Sequence, residues 1–230
     1  MSRFIIVQQE KGGVGKTFLA IHLTTYLRGL GHHFRPVDFD YHTGLVSDVF
    51  PDAASVSPDP LSIQSGASLL PSLIERVIKG ELYLVDSGAN TGMSWAVLHQ
   101  MCPQLREEMQ AAGVKTTLII PVTRTKVSRE KFVDYEGEFP GATRIMVVVR
   151  EFTDEVFELP KHPAELTIGL PFAPKKLFDT YESSKTPIDA IATSTDSSFG
   201  INRAFARGYL PKLHAEFNKV RKHLVPNPVP

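Results

Sequence analysis

Short apolar runs alternate along the chain with longer segments in which apolar residues recur every three or four positions. The run at 4–8 is typical of a buried strand, and 17–30 has the spacing of an amphipathic helix. Further strands are predicted at 34–39, 82–85, 116–121, 144–149 and 166–170. Further helices are predicted at 68–79, 95–112, 128–137 and 174–184. This order predicts an α/β fold with a mostly parallel central sheet and helices on both faces.

No internal repeat or linker interrupts this pattern, so we expect the whole chain to form a single domain. The stretch 51–60, which is rich in proline and serine, is predicted to be a loop. The segment 199–223 is predicted to be mostly helical, with a break at Gly208 and Pro211 because neither residue favours a helix interior. The final residues, 225–230, read VPNPVP and are expected to be disordered.

The overall charge is balanced, with 25 basic and 25 acidic residues, and therefore gives no indication of a nucleic-acid partner. Such a surface would have to be a local patch. The single cysteine, Cys102, excludes an internal disulfide and any metal or iron–sulfur site built on several cysteines of one chain. No apolar run approaches the roughly 18–20 residues of a membrane span, and the N-terminal run is too short for a signal peptide. We therefore expect a soluble, cytoplasmic protein.

A glycine-rich loop stands between the first predicted strand and the first predicted helix. Glycines allow successive backbone N–H groups to turn toward phosphate oxygens, and the N-terminus of the following helix adds a favourable potential. In this pattern Lys16 is expected to reach the β- and γ-phosphates of a nucleotide, and Thr17 to coordinate Mg²⁺. The residues predicted to surround the phosphates are Gly12, Gly13, Val14, Gly15, Lys16 and Thr17. The sequence thus predicts a P-loop that binds ATP and Mg²⁺.

A second lysine, Lys11, opens the loop, which then reads KGGVGKT. This motif resembles the deviant Walker A loop of the ParA/MinD family of ATPases, within the SIMIBI type of P-loop NTPase fold. The resemblance implies a nucleotide-sandwich homodimer in which Lys11 reaches the nucleotide held by the partner subunit. It also implies slow ATP hydrolysis that a partner stimulates, with Lys11 and Lys16 in catalytic roles.

Two predicted strands end in acidic residues. Asp38 and Asp40 close the second strand in VDFD, and acids at such positions are by themselves commonly turn or capping residues. Beside the P-loop, VDFD resembles the first switch of the family, which implies that Asp40 positions the attacking water and Asp38 supports the Mg²⁺ shell. Asp86 ends the apolar strand in LYLVD, as in a Walker B motif, and is expected to hold Mg²⁺ through water. The predicted metal set is therefore Thr17, Asp38 and Asp86.

Several positions depart from the pattern of the family. Phe18 replaces the hydroxyl residue that touches the α-phosphate, and Glu10 precedes Lys11 where Gln, Pro or Gly is more usual. The residues after Asp86 resemble the second switch of the family, and Gly88 stands there at a position that is usually proline. Arg150 follows a predicted strand at the place where the family has a residue that contacts the base. By position, Phe18 and Arg150 are included in the predicted nucleotide site.

Absent features narrow the resemblance to one group of the family. The chain lacks the cysteine pairs of iron–sulfur members and of the ATPases that target tail-anchored proteins. Its ending cannot form the amphipathic membrane helix of MinD-like members, so no membrane insertion is expected. It starts at the first strand, without the helix-turn-helix of larger plasmid ParA proteins. After these exclusions, the chain resembles small ParA-like proteins of the StbB/TraL type found on conjugative plasmids.

The segment 199–223 carries the one charge asymmetry of the chain. Its cations include Arg203, Arg207, Arg221 and Lys222. By resemblance, such a surface binds DNA without sequence preference through phosphate contacts. The same pattern equally suits a solvated face of a helix that packs on the sheet, and the sequence does not decide between the two.

Two functions remain open at this point. The first is an ATP-hydrolysing dimer that acts in DNA partition, positioning or plasmid stability with a small DNA-binding or adaptor partner. The second is a nucleotide-binding scaffold or accessory ATPase of a conjugation, secretion or cellulose-synthesis apparatus. The set of Lys11, Asp38, Asp40 and Asp86 favours the first, because hydrolysis requires all the roles that the resemblance gives to these residues.

Overall fold

The computed structural model describes residues 2–39, 44–56, 70–88, 95, 100, 104–149 and 157–225. In this part of the chain, strands alternate with helices up to residue 170, and three α-helices then follow one another. The strands are β1 Arg3–Val7, β2 Arg35–Asp38, β3 Ala54–Ser55, β4 Tyr83–Asp86, β5 Lys115–Val122, β6 Thr143–Val149 and β7 Thr167–Leu170. The α-helices are α1 Lys16–Gly29, α2 Leu45–Val49, α3 Leu70–Ile78, α4 Leu105–Ala111, α5 Lys126–Glu138, α6 Lys175–Ser184, α7 Ile188–Thr193 and α8 Gly200–Leu224. Two short 3₁₀ helices span Ala164–Leu166 and Ser197–Phe199.

The strands form one sheet in the order β3-β2-β4-β1-β5-β6-β7, and every neighbouring pair is parallel. The prediction of an α/β fold with a mostly parallel sheet is confirmed. β1 lies between β4 and β5, and all of its residues are buried. A strand that is covered on both faces needs an unbroken apolar run, which residues 4–7 supply.

Helices cover both faces of the sheet, and alternate residues of β1 pack against different layers. On one face, Ile5 and Val7 join a core with α1, α2, α6, α7 and α8. On the other face, Phe4 and Ile6 join a core with α3, α4 and α5. Because the strands are parallel, their carboxyl ends meet at one edge. The segments that follow β1, β2 and β4 are therefore neighbours, which is where ligands bind in sheets of this kind.

The predicted strands and helices are present wherever their residues are described, with ends displaced by a few positions. Within the predicted helix 95–112, the described residues Trp95 and Gln100 are helical and α4 follows them. Among the described elements, those not predicted are β3, inside the predicted loop 51–60, the short helices α2 and α7, and the two 3₁₀ helices. Elements of two to six residues contain too few repeats of a hydrophobic period to be recognised from it.

The predicted break in the C-terminal helix is wrong. α8 continues for 25 residues with Pro211 inside it, although a proline in a helix interior costs about 3 kcal/mol. Gly208 and Pro211 lie on the exposed side, whereas Tyr209, Leu213 and Phe217 are buried. Burial of that opposite face holds the helix together through the proline. Neither α8 nor any other described helix is long and apolar enough to cross a membrane.

Arg3, the first residue of β1, holds the end of α8. Its guanidinium donates to the carbonyl oxygens of Lys222 at 3.1 Å, His223 at 3.4 Å and Val225 at 3.1 Å. The last carbonyls of a helix have no partner within the helix, so a buried cation at this end satisfies them. Val225 is buried at this contact. Residues 226–230 of the expected disordered tail lie outside the described residues.

Candidate nucleotide-binding site

The loop between β1 and α1 lies at the carboxyl edge of the sheet, next to its centre. Its backbone is left-handed at Gly13 (φ 71°) and Gly15 (φ 86°), a conformation that is strained in residues with a side chain. A Cβ atom built on Gly12, Gly13 or Gly15 would meet no atom of the described residues within 4 Å. No described side chain caps α1, and its first turn contains no acidic residue. The N-terminus of this helix is thus open to an anion.

Lys16 places a cation across this loop. The residue is 8% exposed, and its Nζ donates to the backbone carbonyl oxygen of Lys11 at 3.0 Å. Val14, between the two lysines, is an apolar residue of the loop that is also buried, at 3% exposed. A largely buried ammonium group is stabilised by a bound anion, because burial removes most of its hydration. The loop therefore has the geometry and charge of a phosphate cradle.

The acids that end β2 and β4 are direct neighbours in the sheet. Asp38 pairs in register with Asp86, and Asp86 pairs in turn with Val7 at the end of β1. Adjacent strands lie roughly 4.8 Å apart, so Asp86 stands beside the end of the strand that leads into the loop, and Asp38 stands one strand further away, beside Asp86. Each is only 1% exposed. The hydroxyl of Ser87, the next residue, donates to the carbonyl oxygen of Val7 and fixes this junction.

A contact that the sequence did not predict orients Asp38. Its Oδ2 accepts hydrogen bonds from the backbone N–H of Ser47 at 3.2 Å and from the Ser47 hydroxyl at 3.3 Å. Ser47 lies on α2, which begins after Gly44 (φ 58°). No motif around Ser47 marks it in the sequence, because the contact depends on how the chain returns over the end of β2.

These residues fit a bound Mg²⁺. The ion usually takes one or two protein carboxylates together with water and substrate phosphates, rather than a complete cage of side chains. Asp38 and Asp86 supply buried carboxylates, and Thr17 is half-buried at the start of α1. Among the described residues, no group of three or more His, Cys, Asp or Glu side chains is placed to hold a metal. In a shell of that kind, water and oxygens of the nucleotide would complete what these residues supply.

Phe18 follows Thr17, but its side chain turns away from the loop. It is 3% exposed and belongs to the core that α1 shares with α6 and α8. Any contact of this residue with a phosphate would come from its backbone N–H. Asp40 and Arg150, predicted to position water and to contact the base, lie outside the described residues. Both roles remain predictions.

The start of the loop is attached to β5 and α5 through Gln9, a residue that no sequence motif marks. Gln9 is fully buried, and its Nε2 donates to the carbonyl oxygen of Pro121 at 3.1 Å. The same group lies 3.2 Å from both the carbonyl oxygen and the hydroxyl of Ser128. The Ser128 hydroxyl also accepts from the backbone N–H of Thr123 at 3.1 Å. This network joins the loop to the turn between β5 and α5.

Glu10 makes two further contacts with α5. Its backbone N–H is shared between Oε1 of Gln9 at 3.0 Å and the hydroxyl of Tyr135 at 3.1 Å. Its carboxylate lies 3.1 Å from Nζ of Lys131, and the hydrogen bond between them raises the pKa of Lys131. Asp134 is a more distant partner of Lys131, at 3.8 Å. Burial raises the pKa of Tyr135, so its hydroxyl stays protonated.

A separate apolar cavity of about 440 Å³ lies at the opposite edge of the sheet. Its lining includes Phe4, Thr116 and Thr143, at the amino ends of three strands, together with Trp95 and Phe139. The P-loop follows the carboxyl end of β1. This cavity is therefore distinct from the phosphate cradle.

A comparison with protein families identifies the family to which this phosphate-binding loop belongs. The sequence model described as the CobQ/CobB/MinD/ParA nucleotide binding domain matches residues 5–155. The chain belongs to this family. The resemblance to ParA/MinD proteins is thus confirmed, and the loop is part of a nucleotide-binding domain of the CobQ/CobB/MinD/ParA family. A comparison with curated proteins gave no match.

The C-terminal part of the chain lies beyond the range matched to the CobQ/CobB/MinD/ParA family, yet it completes the same core. β7 extends the sheet beside β6. Leu177 of α6, Ile188 of α7 and Leu213 of α8 are buried in the cluster that contains Leu19 and Leu23 of α1. The helix that begins at the P-loop therefore packs directly on residues that the family match does not include.

Proposed function

We propose that this CobQ/CobB/MinD/ParA protein is an ATPase switch that dimerises around ATP and Mg²⁺ and acts in DNA partition, positioning or plasmid stability. The observation that carries the proposal is the KGGVGKT loop at the end of β1, with Asp86 in register beside that end and Asp38 in register beside Asp86 on the next strand. Membership of a nucleotide-binding family supports a nucleoside triphosphate as the ligand. The interpretation of the loop as a deviant Walker A motif and the likeness to StbB/TraL-type plasmid proteins are part of what we propose.

Phosphoryl transfer needs positioning and charge neutralisation more than covalent chemistry by the protein. In the proposal, the N–H groups of the loop and Lys16 bind the β- and γ-phosphates. Thr17 and Asp86 hold Mg²⁺, which neutralises phosphate charge, and Ser47 keeps Asp38 oriented beside them. Asp40 positions the attacking water.

Lys11 carries the role that makes the switch a dimer. A monomer binds ATP through residues 12–17 without it. Two subunits then meet across their nucleotides, and each Lys11 approaches the nucleotide of the partner. Stabilisation of charge that develops in a transition state is commonly worth several kcal/mol, so a lysine supplied in this way couples hydrolysis to association.

The surface of α8 supports DNA as a partner. Arg221 and Lys222 are exposed in the last turn of the helix. Arg203 and Arg207, also predicted to bind DNA, donate to backbone carbonyl groups of the preceding segment at 3.0 and 2.9 Å. The proposed phosphate contacts therefore concentrate at the C-terminal end of α8. A small DNA-binding or adaptor protein would stimulate turnover.

Two single variants test the switch. Lys16→Ala should abolish tight ATP binding, because it removes the cation that the loop holds beside the phosphates. Lys11→Ala should keep ATP affinity within about twofold and lose ATP-dependent dimerisation and most hydrolysis. Nucleotide titration, sedimentation with and without ATP, and ATPase assays separate the two. Normal dimerisation and turnover by Lys11→Ala would contradict the proposal.

A nucleotide-binding scaffold is the competing function. It predicts ATP binding in the unchanged protein without ATP-dependent dimerisation, and with no turnover above background whether or not DNA is present. The same sedimentation and ATPase measurements therefore distinguish the two functions before any variant is made.

A further inference from the structure

The proposed function gives Lys11 a task across an interface, and the structure indicates what fixes its position. Lys11 follows Gln9 and Glu10, and both of these residues contact α5 through their side chains. On the other side, the carbonyl oxygen of Lys11 accepts from Nζ of Lys16. The backbone of Lys11 is thus held between α5 and the phosphate cradle.

The contacts on α5 come from one face of the helix. Ser128, Lys131 and Tyr135 are spaced by three and four positions, which places them on the same side. Ser128 and Tyr135 are fully buried, while the side chains of Lys131 and Glu10 are 30% and 31% exposed. The hydrogen bonds of the two buried residues attach the loop to the fold, and the ion pair is the outermost contact, directly beside Lys11.

We propose that Glu10 and Lys131 are positioning residues for Lys11: their ion pair fixes the start of the loop on α5, so that Lys11 points toward the partner subunit. The inference rests on the proposed function, since it assigns a role through Lys11. It also accounts for the acidic residue at position 10, where the family more usually has Gln, Pro or Gly. In this proposal an acid stands at that position because its partner on α5 is a lysine.

Loss of the ion pair should affect turnover more than nucleotide binding. Residues 12–17 remain in place without it, because Gln9 still bonds to Ser128 and Lys16 still bonds to Lys11. The start of the loop at residues 10 and 11 becomes less restrained, however. A displaced catalytic group such as Lys11 reduces the rate even when its chemistry is intact. We expect roughly three- to tenfold lower kcat and a similar weakening of ATP-dependent dimerisation.

The test compares Glu10→Gln, Lys131→Gln, the double variant and Lys131→Arg. Each single Gln variant should lower kcat and dimerisation while ATP affinity stays unchanged. The double variant should be no worse than either single variant, because both remove the same interaction. Lys131→Arg should retain most activity, since it keeps the cation. Glu136→Gln is the matched control, because it breaks another ion pair of α5, the 3.0 Å contact with Arg144 that leads away from the loop.

The outcomes distinguish this inference from the proposed function. If Lys11→Ala loses dimerisation but Glu10→Gln behaves like Glu136→Gln, the positioning role is wrong and the switch stands. A parallel fall in ATP affinity and kcat would make the pair a support of the cradle as a whole, and would also overturn the positioning role. If Lys11→Ala dimerises and turns over normally, the proposed function fails, and the positioning role fails with it.

Discussion

Phe18 and His22 lie one turn apart on α1, and their rings stack with centroids 4.1 Å apart. Phe18 also stacks on Phe178 of α6 at 5.3 Å and meets Tyr181 edge-on at 5.5 Å. A position that in the family usually carries a hydroxyl is used here for packing, so the helix that starts at the P-loop is tied to α6. Position 18 alone does not reveal this role, because the partner rings come from a distant segment of the chain.

His22 is buried as a neutral side chain with a defined tautomer. The backbone N–H of Ile188 donates to Nε2 at 3.3 Å, so Nε2 carries no proton. Nδ1 then carries the proton and donates to the carbonyl oxygen of Phe18 at 2.8 Å. Burial, with a smaller contribution from His214, lowers the pKa of His22 to about 4. A proton on Nε2 would remove the acceptor of the Ile188 N–H and place a charge in the core.

This histidine predicts acid-sensitive stability. The pKa in the folded state lies below the unfolded value of 6.5, so the unfolded chain takes up the proton first. Stability should fall as the pH drops from 6.5 and should level off below about 4, for a total loss of about 3 kcal/mol from this residue. Urea unfolding of the unchanged protein and His22→Gln at pH 7 and pH 4.5 measures it. The variant should lose clearly less stability over that interval, and equal losses would rule out His22 as the source.

At the residue scale, motifs predicted which residues would bind phosphate and Mg²⁺, but not the contacts that hold those residues in position. The spacing of KGGVGKT and the acids at two strand ends were enough to indicate a phosphate and Mg²⁺ site from the sequence alone. Ser47, Gln9 and Tyr135 carry no motif, because each acts through a contact between segments far apart in the chain. Glu10 was visible as a departure from the family, but its partner Lys131 was not.

At the scale of elements, periodicity predicted long segments and failed for short ones. The strands that pair with β1 read as apolar runs because they are buried on both faces. α8 shows the opposite failure: Gly208 and Pro211 predicted a break in the helix, but the helix continues through both residues. Pro211 costs about as much as one well-buried side chain contributes, and α8 buries seven residues over its length. Packing therefore outweighs the helix-breaking tendency of proline.

The exposed end of α8 gives a prediction about DNA. Arg221→Gln with Lys222→Gln should weaken nonspecific DNA binding about tenfold at low salt and reduce the slope of log affinity against log salt by about one per lost phosphate contact. Filter binding or fluorescence anisotropy across a salt series measures both. Lys79→Gln with Lys161→Gln, two exposed lysines outside α8, is the matched control and should change neither. Identical salt slopes for the two double variants would assign α8 to a solvated face.

At the scale of the whole molecule, the order of strands was not predictable from the pattern of strands and helices. Periodicity indicated that the sheet is parallel, since strands alternate with helices, but it does not say which strands are neighbours. The arrangement places β4 between β2 and β1. That placement brings Asp86 beside both Asp38 and the loop. The site is therefore a product of topology as much as of its motifs.

The contact between Arg3 and the end of α8 joins the two ends of the described chain. Arg3 is 3% exposed, and its guanidinium lies among the last carbonyls of a 25-residue helix. The Thr117 hydroxyl on β5 adds a bond of 2.8 Å to the carbonyl oxygen of His223. Burial lowers the pKa of Arg3, but arginine remains charged at any ordinary pH. The helix end is thus neutralised by a cation that the first strand supplies.

Arg3→Ala should therefore destabilise the whole fold by about 2–4 kcal/mol, because the carbonyl oxygens of Lys222 and Val225 lose this donor and the charge at the end of the helix is removed. Arg35→Ala is the matched control. Arg35 also begins a strand, but it is exposed and its Nε makes a 3.2 Å bond to the carbonyl oxygen of Asp52, so its loss should cost under about 1 kcal/mol. Urea unfolding gives both values, and limited proteolysis should cut Arg3→Ala early within α8. Equal stability of the two variants, with α8 equally protected, would mean that packing of the apolar face of α8 holds it on the sheet without Arg3.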